Sequence, residues 1–102
     1  MPPTSPTKTL TVVSVLEARP GKQPELRAAL AGILKIGRRE KGCLQYDLHE
    51  STESPGKFLF FETWQDQAAF DAHLRSQHII SLLRHINELC VEFPHGTFWR
   101  KL

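Results

Sequence analysis

The segment Lys57–Trp64 constrains the fold of this chain more than any other feature of its sequence. As a strand it carries apolar side chains on both faces, with Phe58, Phe60 and Trp64 beside Glu62 on one and Leu59 and Phe61 on the other. Such a strand is predicted to lie centrally in a sheet that is covered on both sides. The chain of 102 residues is one domain, and a domain of this size buries only about two-thirds of its unfolded surface. Two apolar faces are therefore more than one small core is expected to cover.

The first half of the chain begins with a predicted strand and helix. Residues 10–18 are rich in β-branched side chains, which is typical of a strand, and the turn dipeptide Pro20-Gly21 ends it. A helix is predicted from about Pro24, and Gly42 is suited to its left-handed stop. The predicted buried face of this helix comprises Leu26, Ala29, Leu30, Ile33 and Gly37.

The remaining elements follow from alternation and helix caps. The segment Cys43–Glu50 alternates as a strand, with one face expected to carry Leu44, Tyr46 and Leu48. Asp66 is predicted to cap a helix, and Ser76 a second helical stretch. A last strand is predicted over residues 90–93, with a kink at Pro94 and a continuation over residues 97–101.

The predicted order is β-α-β-β-α-β, which fits an α+β fold, a ferredoxin-like split βαβ antiparallel sheet with the helices on one face. Residues 1–8 hold three of the seven prolines and are expected to form a flexible arm. Residues 9–102 are expected to form the single domain.

Composition narrows the function classes. A formal net charge of +2 is too small to predict a nucleic-acid partner. No apolar run approaches the ~20 residues of a membrane span, and the proline-rich start lacks the apolar stretch of a signal peptide. Cys43 and Cys90 could form at most one bridge, so a reducing cytoplasm is the expected location.

The sheet face away from the helices predicts a partner subunit. It is expected to carry Leu59 and Phe61 together with Val13 and Val15 of the first strand. An exposed apolar patch of this size usually marks an interface, and a two-fold homodimer that packs sheet against sheet would cover it. The alternative is that the strand boundaries are shifted and this face is partly polar.

Glu62 and Trp64 are candidate site residues on the helix-facing side of the central strand. Burial would raise the pKa of Glu62 toward the range of an acid–base catalyst. The alternative is that Glu62 reaches solvent or pairs with Arg84 or Lys57. The Trp64 ring suits stacking on a flat ligand and equally suits the core.

His73 and His78 are candidate proton acceptors, and His73 is expected to face inward with Phe70. Each also has a structural alternative: His73 could be a hydrogen-bonded core histidine, and His78 could be a helix-capping residue. Their spacing of five does not match the three or four preferred on one helix, and no further ligand lies at a suitable spacing, so no metal site is expected. Cys43 is expected to be a buried thiol rather than a nucleophile.

Tyr46 could line a cavity or pack with its hydroxyl anchored at one end, and Arg84 could bind an anionic substrate or face solvent. The sequence holds no glycine-rich phosphate loop, serine elbow or dinucleotide fingerprint. No cofactor is therefore expected.

Four motifs follow one another along the chain: Pro20-Gly21, Gly42-Cys43 with Tyr46, Glu62-Thr63-Trp64, and Ala72-His73-Leu74 with His78. In the order and spacing of these motifs, the chain resembles the antibiotic biosynthesis monooxygenase family of the dimeric α+β barrel superfamily. The resemblance covers residues 10–98. It implies a homodimer with one small cavity per subunit. Some members oxygenate anthrones or quinols with molecular oxygen, without metal or flavin.

Carried over to this chain, the resemblance implies that Trp64 lines the cavity, with His73 and His78 at its helical wall and Arg84 on the following helix. Two departures argue against particular chemistries. Phe60 stands where oxygenase members often have an asparagine, and Leu74 stands near the axial histidine of haem-degrading members.

The leading hypothesis is a cofactor-independent monooxygenase of a small aromatic quinol- or anthrone-like substrate. Its catalytic candidates are His73, His78, Trp64 and Glu62, and its substrate-binding candidates are Phe58, Phe60, Phe70, Arg84 and Tyr46. One alternative is an isomerase of a small phosphorylated metabolite that uses Glu62, His73 and Arg84. The other is a non-catalytic dimer that binds a hydrophobic ligand.

Overall fold

The doubly apolar strand is central in the sheet of the computed structural model, which describes residues 8–102. The four strands are β1 (Leu10–Glu17), β2 (Cys43–Glu50), β3 (Lys57–Trp64) and β4 (Gly96–Trp99). The four helices are α1 (Gln23–Gly32), α2 (Leu34–Arg38), α3 (Gln67–Leu74) and α4 (Gln77–Leu89). Of the arm expected over residues 1–8, all but the last residue lies outside the described part.

The sheet has the strand order β2-β3-β1-β4, and each neighbouring pair is antiparallel. Because β1 and β3 lie side by side in the middle, the two β-α-β halves interleave rather than stack. This is the α+β, ferredoxin-like arrangement, so the predicted fold class is confirmed.

The helix-facing side of β3 forms the middle of the core. Its side chains Phe58, Phe60, Glu62 and Trp64 alternate as predicted, and none is more than 5% exposed. The helices contribute Leu26 and Leu30 from α1, Phe70 from α3, and Ile79 and Ile86 from α4. On the other side of the sheet Leu59 and Phe61 are partly exposed. The core of the chain therefore covers one face of the sheet.

The single first helix that was predicted is wrong in one detail, since it divides into α1 and α2. Ile33, which follows Gly32, has φ −96° and ψ −5° and interrupts the regular helix. Ile33 and Gly37 are nevertheless buried, as the predicted helix face requires. Gly42 adopts φ +84°, the left-handed conformation that glycine tolerates best, and the chain then enters β2.

The predicted inward position of Leu44 is wrong because β2 contains a bulge. Cys43 pairs with Trp64 and Gln45 pairs with Thr63, so Leu44 has no partner across the ladder. As a result Leu44 is 60% exposed, and Cys43 packs against the core instead. From Tyr46 onward the alternation is as predicted.

The final strand is shorter than predicted. Over residues 90–93 the ladder is reduced to a single bridge between Ala18 and Cys90, directly after α4. Pro94 follows, and it has no backbone N–H to donate to a neighbouring strand. β4 then pairs with β1 over only four residues, Gly96–Trp99. None of the helices described in residues 8–102 has the length and hydropathy to cross a membrane.

Candidate active site

A cavity of about 410 Å³ lies between the sheet and the helices. The sheet contributes Tyr46, Phe60 and Glu62, and α3 contributes Phe70 and His73. Further apolar side chains from α4 and the loop before β4 close its sides, chiefly Ile79, Leu82, Leu83, Phe93 and Pro94, and His95 of that loop also borders it. Its volume falls within the range of small-molecule sites, and its lining is mostly apolar with a few polar groups, which is the usual composition of such a site.

A larger hollow of about 540 Å³ lies at the other end of β1, where Leu10, Asp66 and Trp99 border it. No buried titratable side chain of residues 8–102 faces this hollow. In contrast, the buried carboxyl of Glu62 and the buried imidazole of His73 both line the smaller cavity. The smaller cavity is therefore the candidate active site.

Glu62 is held at the floor of the cavity by the register of the sheet. It lies opposite Val12 of β1 and Tyr46 of β2, so its carboxyl is enclosed on both sides. The indole Nε1 of Trp64 donates a hydrogen bond of 2.9 Å to its Oε1. Burial raises the pKa of Glu62 to about 7, against the opposing hydrogen bond from Trp64. Glu62 therefore titrates near neutral pH.

His73 reaches the cavity from α3. Asp66 caps this helix by accepting a hydrogen bond from the Ala69 backbone N–H at 2.9 Å. Phe70 and His73 lie one turn apart on the buried face, and His73 is only 2% exposed. Burial lowers the pKa of His73 below its ordinary value, although the hydrogen bond to Glu40 opposes this. The ring is therefore neutral at neutral pH.

Glu40 is a member of the site that the sequence did not indicate. It lies in the turn between α2 and β2, and its Oε2 is 2.8 Å from Nδ1 of His73 and 2.8 Å from Nε2 of His78. Gly42 permits this close approach, since a Cβ there would lie 2.5 Å from the Cβ of Ala69 on α3. No local pattern marks Glu40, because its partners lie far along the chain.

Aromatic rings fix the orientation of the His73 imidazole. The ring centroid of Trp64 lies 4.6 Å away at an interplanar angle of 35°, and the ring of Tyr46 meets the imidazole edge-on at 5.4 Å. Gly37 of α2 makes room for Tyr46, since a Cβ there would lie 2.5 Å from the phenol ring. Arg38 adds a hydrogen bond of 2.9 Å to the Tyr46 carbonyl. The imidazole is thus held in a preformed aromatic frame.

The hydrogen bonds assign the two nitrogens of His73 different roles. A carboxylate can only accept hydrogen bonds, so the nitrogen that faces the Glu40 carboxylate, Nδ1, carries the proton. Nε2 lies 3.8 Å from Oε1 of Glu62, which is too long for a hydrogen bond. In the neutral ring, Nε2 of His73 therefore has a free lone pair on the side of Glu62. His73 and Glu62 both line the cavity. A histidine oriented by a carboxylate in this way is suited to act as a general base.

The structure brings five of the sequence-predicted site residues to the cavity, namely Glu62, His73, Tyr46, Phe60 and Phe70. Trp64 is fully buried and lies behind them, where it contacts Glu62 and His73 rather than the cavity. His78 lies on the far side of Glu40.

Phe58 and Arg84 do not line the cavity. Phe58 is buried beneath Arg27, whose guanidinium carbon lies 5.8 Å from the ring centroid. Arg84 is exposed on α4. The expected pairing of Glu62 with Arg84 or Lys57 is also not seen, since Trp64 and His73 occupy its surroundings.

Comparisons with known proteins agree with this architecture. The family model of antibiotic biosynthesis monooxygenase matches residues 9–82. "Putative monooxygenase Rv0793" from Mycobacterium tuberculosis is 32% identical over 83 residues, which are 81% of this chain and 81% of that protein. Its solved structure aligns with 92% of this chain and 95% of its own at 30% identity and a TM-score of 0.86.

Two further relatives have no activity in their names. The crystal structure of PA3566 from Pseudomonas aeruginosa is 29% identical, covers 93% of this chain and 95% of its own, and has a TM-score of 0.88. "Uncharacterized protein sll1783" from Synechocystis is 30% identical over 69 residues, or 68% of this chain. The match covers 47% of the Synechocystis protein, so this chain spans about half of its length.

Proposed function

Since the chain belongs to the antibiotic biosynthesis monooxygenase family, we propose that it is a cofactor-independent monooxygenase of a small aromatic quinol- or anthrone-like substrate. The observation that carries this proposal is the placement of His73 between Glu40 and the cavity. Its Nδ1 is 2.8 Å from the Glu40 carboxylate, and its other nitrogen is on the Glu62 side. A neutral base at the wall of a mostly apolar cavity is what this chemistry requires.

The cavity favours a flat, mostly apolar substrate. Phe60, Phe70 and Tyr46 supply aromatic walls, and the volume of about 410 Å³ suits a small ring system. Glu62 offers a polar contact at the floor, where a substrate hydroxyl or carbonyl would be oriented. In a cavity with few competing polar groups, one such contact is enough to set the direction of binding.

The proposed reaction begins with a proton transfer from the substrate to Nε2 of His73. The resulting imidazolium is stabilised by the Glu40 carboxylate, as in other histidine–carboxylate pairs. The substrate anion is electron-rich and reduces molecular oxygen itself. The substrate loses two hydrogens, one of them the proton held on His73, and gains one oxygen atom, while the second oxygen atom leaves with those two hydrogens as water. All four electrons that reduce molecular oxygen come from the substrate, so no reductant is needed.

The two alternative functions receive less support. An isomerase of a phosphorylated metabolite would need a cation at the cavity, and the candidate Arg84 is exposed elsewhere on α4. A purely hydrophobic-ligand binder would have a cavity without accessible titrating groups, whereas Glu62 and His73 both line this one.

The proposal includes a homodimer in the cytoplasm that pairs the outer faces of two sheets. Val15 is 45% exposed on this face, next to the partly exposed Leu59 and Phe61. Covering such a surface by a second copy would remove apolar area from water. The proposed functional unit is thus two chains, each with its own cavity.

Oxygen uptake tests the proposed activity. Wild type, His73→Gln and His85→Gln are incubated in air with a quinol or an anthrone, with EDTA present and no flavin added. We expect consumption above the buffer rate for wild type and His85→Gln, since His85 is an exposed surface residue on α4. A folded His73→Gln protein is expected to fall to the buffer rate. No consumption by wild type, or full activity of His73→Gln, would refute the proposal for these substrates.

A further inference from the structure

Two histidine nitrogens converge on one carboxylate oxygen beside the cavity. Nδ1 of His73 and Nε2 of His78 each lie 2.8 Å from Oε2 of Glu40. The ligand atoms of the three residues all lie within 4.8 Å of one another. We propose that Glu40, His73 and His78 form a binding site for one divalent transition-metal ion of the zinc class.

The ligand atoms of the three side chains already converge on one point. Zinc binds imidazole nitrogen at about 2.0–2.1 Å and carboxylate oxygen at about 2.0–2.2 Å. Both nitrogens already face the same point, at hydrogen-bond distance from the oxygen. An ion close to the present position of Oε2 would reach both rings once the carboxylate turned aside.

The donor set selects the class of metal. Two imidazoles with one carboxylate suit zinc, iron, cobalt, nickel and copper, whereas magnesium and calcium prefer sets made of oxygen. Three protein ligands leave at least one coordination position open, unlike a structural zinc site with four. The spacing of His73 and His78 gave no sign of this, because the third ligand, Glu40, comes from a distant turn.

The surroundings provide the outer support that metal-binding histidines usually have. A metal ion on Nδ1 of His73 requires the ring proton to move to Nε2, and Oε1 of Glu62 lies 3.8 Å from that nitrogen. Glu62 is therefore the carboxylate placed to support that nitrogen, and its own carboxyl is held by Trp64. Carboxylates in this position orient the ligating imidazole and strengthen binding.

The site is also reachable from solvent. The side chains of His78 and Glu40 are 14% and 16% exposed, whereas that of His73 is 3% exposed. An ion would therefore arrive past His78 and Glu40 and meet His73 last. His73 lines the cavity whereas Glu40 and His78 do not, so the ion does not have to pass through the cavity.

This inference does not depend on the proposed reaction and makes the opposite demand on His73. The reaction needs the proton on Nδ1 and a free Nε2, and a metal ion on Nδ1 reverses both. Bound metal is therefore expected to inhibit proton abstraction. Binding itself is measured without substrate, so either proposal can fail alone.

Calorimetry on untagged, EDTA-stripped protein tests the site, with Zn²⁺ as the titrant. We expect one ion per chain for wild type. His78→Ala and Glu40→Ala are each expected to weaken binding at least about tenfold, since even outer residues of a metal site contribute this much. His85→Ala is the matched control, because His85 also pairs with a glutamate, Glu88, but on the exposed face of α4.

Co²⁺ absorption identifies the ligands in the same variants. Nitrogen and oxygen ligands give visible bands without the intense near-ultraviolet band of a thiolate, which separates this site from Cys43. Circular dichroism establishes that His78→Ala is folded. The proposal is overturned if wild type binds less than one ion per chain, if a folded His78→Ala binds as tightly as His85→Ala, or if the Co²⁺ spectrum reports a thiolate.

Discussion

Nδ1 of His73 lies 2.8 Å from Oε2 of Glu40, although 33 positions separate the two residues in the chain. The contact joins α3 to the turn before β2 and fixes which nitrogen of the imidazole is free. Burial alone would leave His73 neutral without deciding where its proton resides. Glu40 is thus proposed as the residue that makes His73 a base toward the cavity.

Replacing Glu40 by glutamine is expected to lower kcat for oxygen uptake at least about tenfold, because general base catalysis is worth a hundredfold or more. The amide can donate to Nδ1 and favour the ring form with the proton on Nε2, which cannot accept one. KM is expected to change little, since Glu40 does not line the cavity. Glu88→Gln, at an exposed His–Glu pair, is the control. Unchanged kcat in a folded Glu40→Gln protein would contradict the role.

Gly37→Ala is expected to destabilise the protein by about 1–3 kcal/mol, the usual cost of overpacking. The added Cβ would lie 2.5 Å from the Tyr46 ring, which cannot retreat from the core. Gly32→Ala is the matched control in the neighbouring helix, where nothing lies within 4 Å of the new Cβ. That control should be neutral or more stable by up to about 1 kcal/mol. Urea unfolding at equal protein concentration compares them, and equal stability would refute the packing argument.

The pair of Glu50 and Arg27 predicts an acid-dependent loss of stability. The Glu50 carboxylate accepts two hydrogen bonds from Arg27, at 2.7 and 2.9 Å, and one from the Gly56 backbone N–H. These contacts lower the pKa of Glu50 to about 2. A carboxyl with a folded-state pKa below its unfolded value stabilises the fold above the unfolded value. That contribution disappears as the pH falls through the window from about 4.5 to about 2.

Thermal unfolding of Glu50→Gln measures this contribution. Its Tm should lie below that of wild type at neutral pH, and the two should converge toward pH 2. Glu53→Gln is the control in the adjacent turn, because Glu53 forms no ion pair among residues 8–102. A difference in Tm between Glu50→Gln and wild type that is constant with pH would show that the carboxylate is not its source.

The proposed dimer predicts that a charge on the outer sheet face produces monomers. Val15→Lys places an ammonium group on this face, where burial against a second copy would cost several kcal/mol. Ile36→Lys is the control, since Ile36 is 49% exposed on α2 and Val15 is 45% exposed. Light scattering after size exclusion should give dimers for wild type and Ile36→Lys, and monomers for Val15→Lys. A monomeric wild type at micromolar concentration would contradict the dimer.

The fold was predictable where the information is local. Apolar side chains on both faces identify β3 as central, and the cap at Asp66 marks the start of α3. The position of Leu44 was not predictable, because a bulge depends on how the partner strand pairs and leaves no trace in the alternation. The loss of the strand predicted over residues 90–93 was not predictable either, since Cys90 makes only one bridge, to Ala18, before Pro94.

The candidate site was predictable only in part. His73 and Glu62 stand out as polar residues on buried faces, a pattern that a single element reveals. Glu40 lies in a turn with no periodicity, and its role depends on Gly42 letting that turn approach α3. Arg84 was a candidate for binding an anionic substrate, but its position on α4 leaves it exposed, which was the stated alternative.

The protonation of His73 in the free protein tests the central claim most directly. Long-range ¹H–¹⁵N correlation spectra of the metal-free protein at neutral pH, with His73 assigned by its loss in His73→Gln, distinguish the two neutral ring forms and the imidazolium. We predict a neutral ring with its proton on Nδ1, toward Glu40, and a free Nε2. A proton on Nε2, or a doubly protonated ring, would contradict the assignment of His73 as the base.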